Sequence, residues 1–237
     1  MTDEYLFKYM PVSDHAQRFV WITEVLKERK MFVPAAKDLN DPFELIFEMN
    51  SSGESPVADQ LEAMMDWKTF KDKMGVISFT KNPLNLLMWS HYAQGHKGIC
   101  LKFKINNKDR YSKKFKEISY SDKIKKYEDN EIFWTKASDW SYEQEVRFIS
   151  VSDCNKHVKL DQIGLDLEEI ILGPNISSDD VMKIIILIEG SDLKYSLSCA
   201  ELQMTSYKLS LAALGIAGIK EKYIKIKALQ KVAEKYK

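Results

Sequence analysis

Two carboxylates one residue apart, Glu143 and Glu145, precede an arginine in the run Glu143-Gln144-Glu145-Val146-Arg147-Phe148-Ile149. Read as an extended segment, its period of two aims Glu143, Glu145 and Arg147 to one side and Val146 and Phe148 to the other. Two like charges this close raise the cost of ionising both. Such a pair belongs on open surface, as a solvated ladder at a strand end, or where a carboxylate works as an acid, a base or a charge stabiliser. Arg147 on the same face can neutralise one of them. A second group of chemically capable residues lies at the end of Gly75-Val76-Ile77-Ser78-Phe79-Thr80, where Ser78 and Thr80 share one face. Hydroxyls there either contact a ligand or satisfy the backbone of the following turn. His91 follows, on an apolar helix, where it reads as a hydrogen-bonded core residue or as a base. Asp41 and Glu44 sit in the turn Asn40-Asp41-Pro42-Phe43-Glu44, either lining a cleft or, respectively, capping the turn and facing water.

These residues depend on a unit of strand, short helix and strand over residues 75–105. Gly75–Thr80 is β-branched, aromatic and alternating, as a strand requires. Asn82 is placed to cap a helix, with Pro83 at its first position. Leu84, Leu87, Met88 and Tyr92 follow helical spacing, and Leu86, Trp89 and Ala93 fill a second face, so the helix is expected to be buried. Gly95 suits a left-handed helix end. Ile99, Leu101, Phe103 and Ile105 then alternate as a half-buried strand.

Around that unit, Tyr5–Met10 reads as a first strand with Lys8 and Tyr9 near its end. Ser13 or Asp14 caps a helix carrying Phe19, Ile22, Val25 and Leu26. Lys30–Pro34 is a short strand, 50–56 a surface loop, and 57–67 a helix. Residues 123–135 read as weakly helical. Ile170-Ile171-Leu172 is a strand, and Ser177 with Asp180 resembles a capping box before a helix at 181–188. Residues 195–211 suggest one or two strands. A basic amphipathic helix closes the chain, with Ile226, Leu229, Val232, Ala233 and Tyr236 on one stripe.

At 237 residues, 45% hydrophobic and 30% charged, the composition is that of a globular protein. No apolar run approaches the ~20 residues of a membrane helix. Cys100, Cys154 and Cys199 form neither a metal-site spacing nor a disulfide framework, which fits a reduced, cytoplasmic chain. A glycine-rich phosphate loop is missing, which argues against a P-loop or dinucleotide Rossmann site. The formal net charge is zero but unevenly spread: residues 102–126 hold ten basic and three acidic side chains, and 220–237 hold seven lysines and two glutamates. Each lysine-rich stretch is a solvated face or a polyanion-binding surface, and the second reading makes the chain a non-catalytic nucleic-acid or nucleotide-binding module. A hydrolase or nuclease using Asp41, Glu44, His91 and Glu145 is a third reading, without metal-ligand spacing to support it.

The order Ser-x-Thr strand, helix, strand, and later Glu-x-Glu strand resembles the ADP-ribosyltransferase fold. The resemblance implies a single α+β domain over 1–210, with a central mixed or antiparallel split sheet flanked by helices, and a C-terminal helical extension over 211–237. It implies an NAD-dependent transferase with NAD as substrate. Carried over, Ser78-Phe79-Thr80 takes the place of the serine motif, and Glu145 is the catalytic carboxylate with Glu143 acting on the acceptor. Ser78 and Thr80 hold the ribose or nicotinamide side, and His91 serves as an acceptor-side base. Tyr9 or Tyr92 stacks on a ring, Lys8 or Arg147 pairs with the pyrophosphate, and Asp41 lines the cleft. In the arginine–serine–glutamate branch of that superfamily a basic residue ends the first strand, and this chain departs from the pattern, with no arginine or histidine there, only Lys8 and Tyr9. A second resemblance rests on Asn40–Glu44, Leu86–Tyr92, His96-Lys97-Gly98 and Trp140–Arg147. These strings are similar to a bacterial domain-of-unknown-function family, number 2971, over most of residues 5–190. Its members' neighbourhood among phage-defence and mobile-element genes implies a toxin or defence effector. The partners so implied are NAD, a protein or nucleic-acid acceptor and an antitoxin or accessory protein, with no membrane.

Overall fold

A computed structural model describes residues 4–12, 16–48, 57–106, 114–126, 130–191 and 194–234. The cap at Ser13 or Asp14 and the loop at 50–56 lie outside the described residues. The principal strands are β1 (Tyr5–Met10), β2 (Gly75–Thr80), β3 (Ile99–Ile105), β4 (Phe115–Glu117), β5 (Glu145–Ser150), β6 (Leu165–Leu172), β7 (Ser196–Leu202) and β8 (Leu209–Ala213). The α-helices are α1 (Ala16–Thr23), α2 (Val57–Lys73), α3 (Leu86–Tyr92), α4 (Ser178–Glu189) and α5 (Gly215–Glu234). The class is α+β, with mixed, mostly antiparallel pairing and flanking helices.

The chain folds as two compact units, each assembled from separated segments. The first comprises Met1–Met31, Lys81–Asn107 and Lys159–Lys237. Its strands run in the order β8-β7-β6-β3-β1. β1 pairs antiparallel with β3, with Tyr9 opposite Cys100, and β3 pairs antiparallel with β6, with Leu101 opposite Ile170. β6 and β7 are parallel, so the chain must cross over between them, and α4 is the crossover. α4 begins as its sequence requires: the Ser177 hydroxyl accepts the Asp180 backbone N–H and donates to the Asp180 carboxylate. Leu6, Ile99, Leu101, Phe103, Ile170 and Ile184 form much of the core. α5 lies against α4 and β7 and buries Ile219 and Tyr223. The expected apolar stripe is only partly used, since Leu229 is exposed.

In the same unit α3 starts later than its sequence suggests. Asn82 does not cap it; its side chain accepts the Leu84 N–H in a turn, and Asn85 becomes the cap, accepting from Leu87 and Met88. Trp89 is fully buried and donates its indole N–H to the Pro83 carbonyl. Leu86, Leu87 and His91 face outward, so α3 is buried on one face only and His91 is not a core residue. Gly98 is required by packing, because a Cβ there would collide with the Met10 carbonyl and the Ala93 backbone.

The second unit comprises Phe32–Thr80 and Lys108–Val158. Its main strands run antiparallel in the order β2-β5-β4. α2 continues to Lys73, past the expected end at Trp67, because its last turns carry Trp67 and Phe70 onto a core of Ala36, Leu45, Met74 and Val76. Phe133 joins those rings. The described residues of the weakly helical stretch 123–135 form no α-helix: Lys125–Lys126 is a short strand paired with Phe47–Glu48, and Asn130–Trp134 is a 3₁₀ turn. A two-residue parallel pairing sets Tyr120 beside Lys136.

Candidate functional site

The antiparallel register of β2 and β5 places Glu145 opposite Thr80 and Arg147 opposite Ser78. Two strand ends far apart in sequence thus meet within the second unit, one offering hydroxyls and the other an acid. The Ser78 hydroxyl hydrogen-bonds the Glu145 carboxylate, and the Thr80 hydroxyl donates to the Glu143 carbonyl at 2.6 Å. Glu145, expected as the third residue of a strand opening at Glu143, is instead the first residue of β5. Glu143 does not share that strand: it ends a 3₁₀ turn over Ser138–Glu143, and Gln144 takes a left-handed conformation, φ 45°, between them. A period of two therefore does not run through Gln144, yet the turn returns the Glu143 side chain to the same cluster.

The charges are buried rather than displayed on a solvated ladder. Arg147 is 0% exposed, Glu145 3% and Glu143 4%. The guanidinium donates from Nη2 and Nη1 to the two oxygens of Glu44, at 2.7 and 3.1 Å. Nε and Nη2 donate to Glu145 at 2.8 and 3.2 Å, and Nη1 also donates to the Phe133 carbonyl at 3.2 Å. Those five bonds use all five N–H groups of an arginine. Arg147 is therefore a buried structural cation, and the expected pairing with a pyrophosphate has no donor left to it.

Three carboxylates exceed one arginine, and Lys136 supplies the second cation. Its ammonium lies 2.7 Å from Glu143 and 3.5 Å from both Glu145 and Glu44, with the Trp140 ring beneath it at 4.6 Å. Burial pushes the Glu145 carboxyl up, but Arg147, Lys136 and the Ser78 hydroxyl outweigh it and hold the group below the usual carboxylate range. Burial likewise opposes the charged form of Lys136, and Glu145, Glu143 and Glu44 outweigh it, raising its pKa. The Tyr120 hydroxyl accepts the Glu145 backbone N–H at 2.8 Å, and burial pushes that phenol up to about 12. Among the described residues no group of three or more His, Cys, Asp or Glu is placed to hold a metal ion.

A cleft of about 260 Å³ adjoins the cluster, with Lys136 in its wall beside Phe43, Ile46, Ile124, Lys125 and Thr135. Asp41 is buried in the turn leading to Glu44: one carboxylate oxygen accepts the Phe43 N–H, and the other has no protein hydrogen-bond partner. The remaining expected residues belong to the first unit. The Tyr9 ring meets the edge of Trp89 at 5.0 Å, and its hydroxyl donates to the Asn82 carbonyl. Ring stacking on a ligand is therefore not open to it in this arrangement. Lys8 and Tyr92 are half-buried, and exposed His91 packs edge-on to Tyr92 at 6.2 Å.

Lys136, Trp140 and Tyr120 went unrecognised in the sequence. One signal was available: an arginine between Val146 and Phe148 on a buried strand demands carboxylates, and surplus carboxylates demand a second cation.

Residues 88–148 match the family described as "Protein of unknown function (DUF2971)". The matched span holds His91, Lys136, Glu143, Glu145 and Arg147, and it is narrower than the 5–190 that the motif strings suggest. Glu44, Ser78 and Thr80 fall outside it. No match was found among the curated proteins or the solved structures.

Proposed function

We propose that the chain is an NAD-dependent ADP-ribosyltransferase in which Glu145 is the reacting carboxylate. The observation that carries this reading is the Ser78 hydroxyl on the Glu145 carboxylate, set by the β2–β5 register, with Glu143 arriving from the adjoining turn. Breaking the bond between nicotinamide and the ribose C1′ develops positive charge on the sugar. A carboxylate held ionised in a water-poor setting stabilises that charge where it forms. Nicotinamide leaves with the bonding electrons. The acceptor's nucleophile, from a protein side chain or a nucleic-acid base, forms the new bond to C1′ and releases its proton to Glu143. Lys136 connects the cleft to the carboxylates, so a ligand pyrophosphate in the cleft competes with Glu143 and Glu145 for the ammonium and uncovers the acid pair. The cell context suggested by family resemblance, a toxin or phage-defence effector with its own antitoxin or accessory protein, is part of the same reading.

The test is nicotinamide release from NAD by the purified chain. The expected result is turnover in the wild type and at least a hundredfold loss in Glu145→Gln with the fold retained. A second reading, non-catalytic nucleotide binding, is favoured by one observation: both carboxylates are buried and capped by cations, as in a structural ionic core. Under that reading NAD or another nucleotide binds without nicotinamide release, and Glu145→Gln leaves binding unchanged.

A further inference from the structure

The first unit ends its strand order in an edge that lacks the usual protection. Among the described residues β8 pairs with β7 alone, leaving its outer backbone groups unpaired. Its sequence, Leu209-Ser210-Leu211-Ala212-Ala213, has no charge and no proline. Edge strands are normally blunted by such residues. β4, which ends the order in the second unit, is blunted in that way, with Lys116 and Glu117 both exposed. Large apolar side chains crowd the unprotected edge and its hairpin tip. Leu202 is 66% exposed, Met204 97%, Tyr207 100%, Leu211 43% and Leu214 41%.

We infer that this edge is a dimer interface, in which β8 of one copy pairs antiparallel with β8 of a second copy about a two-fold axis through Leu211. Three features select a second copy as the occupant. An uncharged strand meets itself without like-charge repulsion, which an isologous contact requires. Leu211 is the central residue of β8, so a two-fold there places Leu209 opposite Ala213 and Ser210 opposite Ala212, and the only two large side chains set face to face are the two Leu211 at the axis. The same register brings the tip of one hairpin alongside Leu214 of the second copy, so the most exposed side chains are covered along with the strand. At the exposures given, the five side chains present on the order of 600 Å² per copy, or about 1,200 Å² for the pair, which reaches the size of a specific interface.

Sedimentation of the full chain over a concentration series tests this. The wild type is expected to sediment as a concentration-dependent dimer. Leu211→Lys and Leu211→Glu each place like charges against themselves at the axis and are expected to be monomers with unchanged circular dichroism. Mixing the two variants is expected to restore a dimer, because lysine then faces glutamate. Tyr207→Ser, at a fully exposed position that contributes nothing to the core, is expected to weaken the dimer at least tenfold, and it carries the test should a Leu211 variant misfold. A wild type that remains monomeric at the highest concentration overturns the proposal. So does a dimer indifferent to Leu211→Lys or Tyr207→Ser, or a mixture of folded variants that stays monomeric.

Discussion

Arg147 contacts only groups that water cannot reach, and removing it leaves three buried carboxylates to one cation, Lys136, whereas neutralising Glu145 leaves Glu44 and Glu143 matched by Arg147 and Lys136. Arg147→Met strands Glu44 and Glu145, and the expected cost is about 3–5 kcal/mol, read as a loss in denaturant midpoint. Glu145→Gln keeps the shape and one acceptor oxygen, with an amide NH2 in place of the other. Under the proposed transferase reading it is expected to separate turnover from folding, with nicotinamide release lost before the melting temperature falls far. The same residues set the pH dependence. The folded-state pKa of Glu145 is depressed, so its contribution is present above the ordinary carboxylate range and is lost as pH falls through the folded value. The folded-state pKa of Lys136 is raised, so its contribution is present below the ordinary lysine value and is lost as pH rises through the raised one. Thermal melts across pH are expected to show a neutral plateau with acid and alkaline limbs. Glu145→Gln is expected to flatten the acid limb and Lys136→Met the alkaline one. Unchanged limbs in both variants would show that the cluster does not govern them.

At the scale of elements, short irregular pieces position the charges more than long regular ones do. The 3₁₀ turn of Ser138–Glu143 and left-handed Gln144 deliver Glu143, and the two-residue pairing of Tyr120 with Lys136 delivers the lysine. Tyr120→Phe removes the acceptor of the Glu145 N–H at the start of β5. The expected loss is about 1–3 kcal/mol, with any turnover reduced through a misplaced Glu145. Double-mutant analysis of Tyr120→Phe with Glu145→Gln is expected to show coupling. In α3 the working cap is Asn85, so Asn85→Ala is expected to cost about 1 kcal/mol of unfolding free energy by denaturant titration. The later helix start follows from Asn82-Pro83: the asparagine side chain closes a turn over Leu84 before the helix can begin.

For the whole molecule, the main consequence is that neither unit is a continuous stretch of chain. β6 comes from the third segment of the first unit, while its partner β3 comes from the second. A fragment of residues 159–237 keeps α4 and α5 but loses β3 and β1, and with them the strand against which Ile170 packs. It is expected to lack cooperative unfolding by circular dichroism. No helix among the described residues is long and apolar enough to cross a membrane.

Locally dictated features were legible in the residues alone. β1, β2 and β3 follow alternation, and α4 follows its serine cap. Local pattern did not reach the facts that depend on remote partners. Whether Glu143 and Glu145 face water or a cation, whether Arg147 is free for a phosphate, and whether His91 is inside or outside are decided by which segments pack together. Lys136 illustrates the physical reason. Nothing in its neighbours distinguishes it from the other lysines, and only the three carboxylates brought to it from residues 44, 143 and 145 make its burial tolerable. Periodicity reports which face of an element is apolar, whereas the pairing of buried charges is a property of the assembled unit.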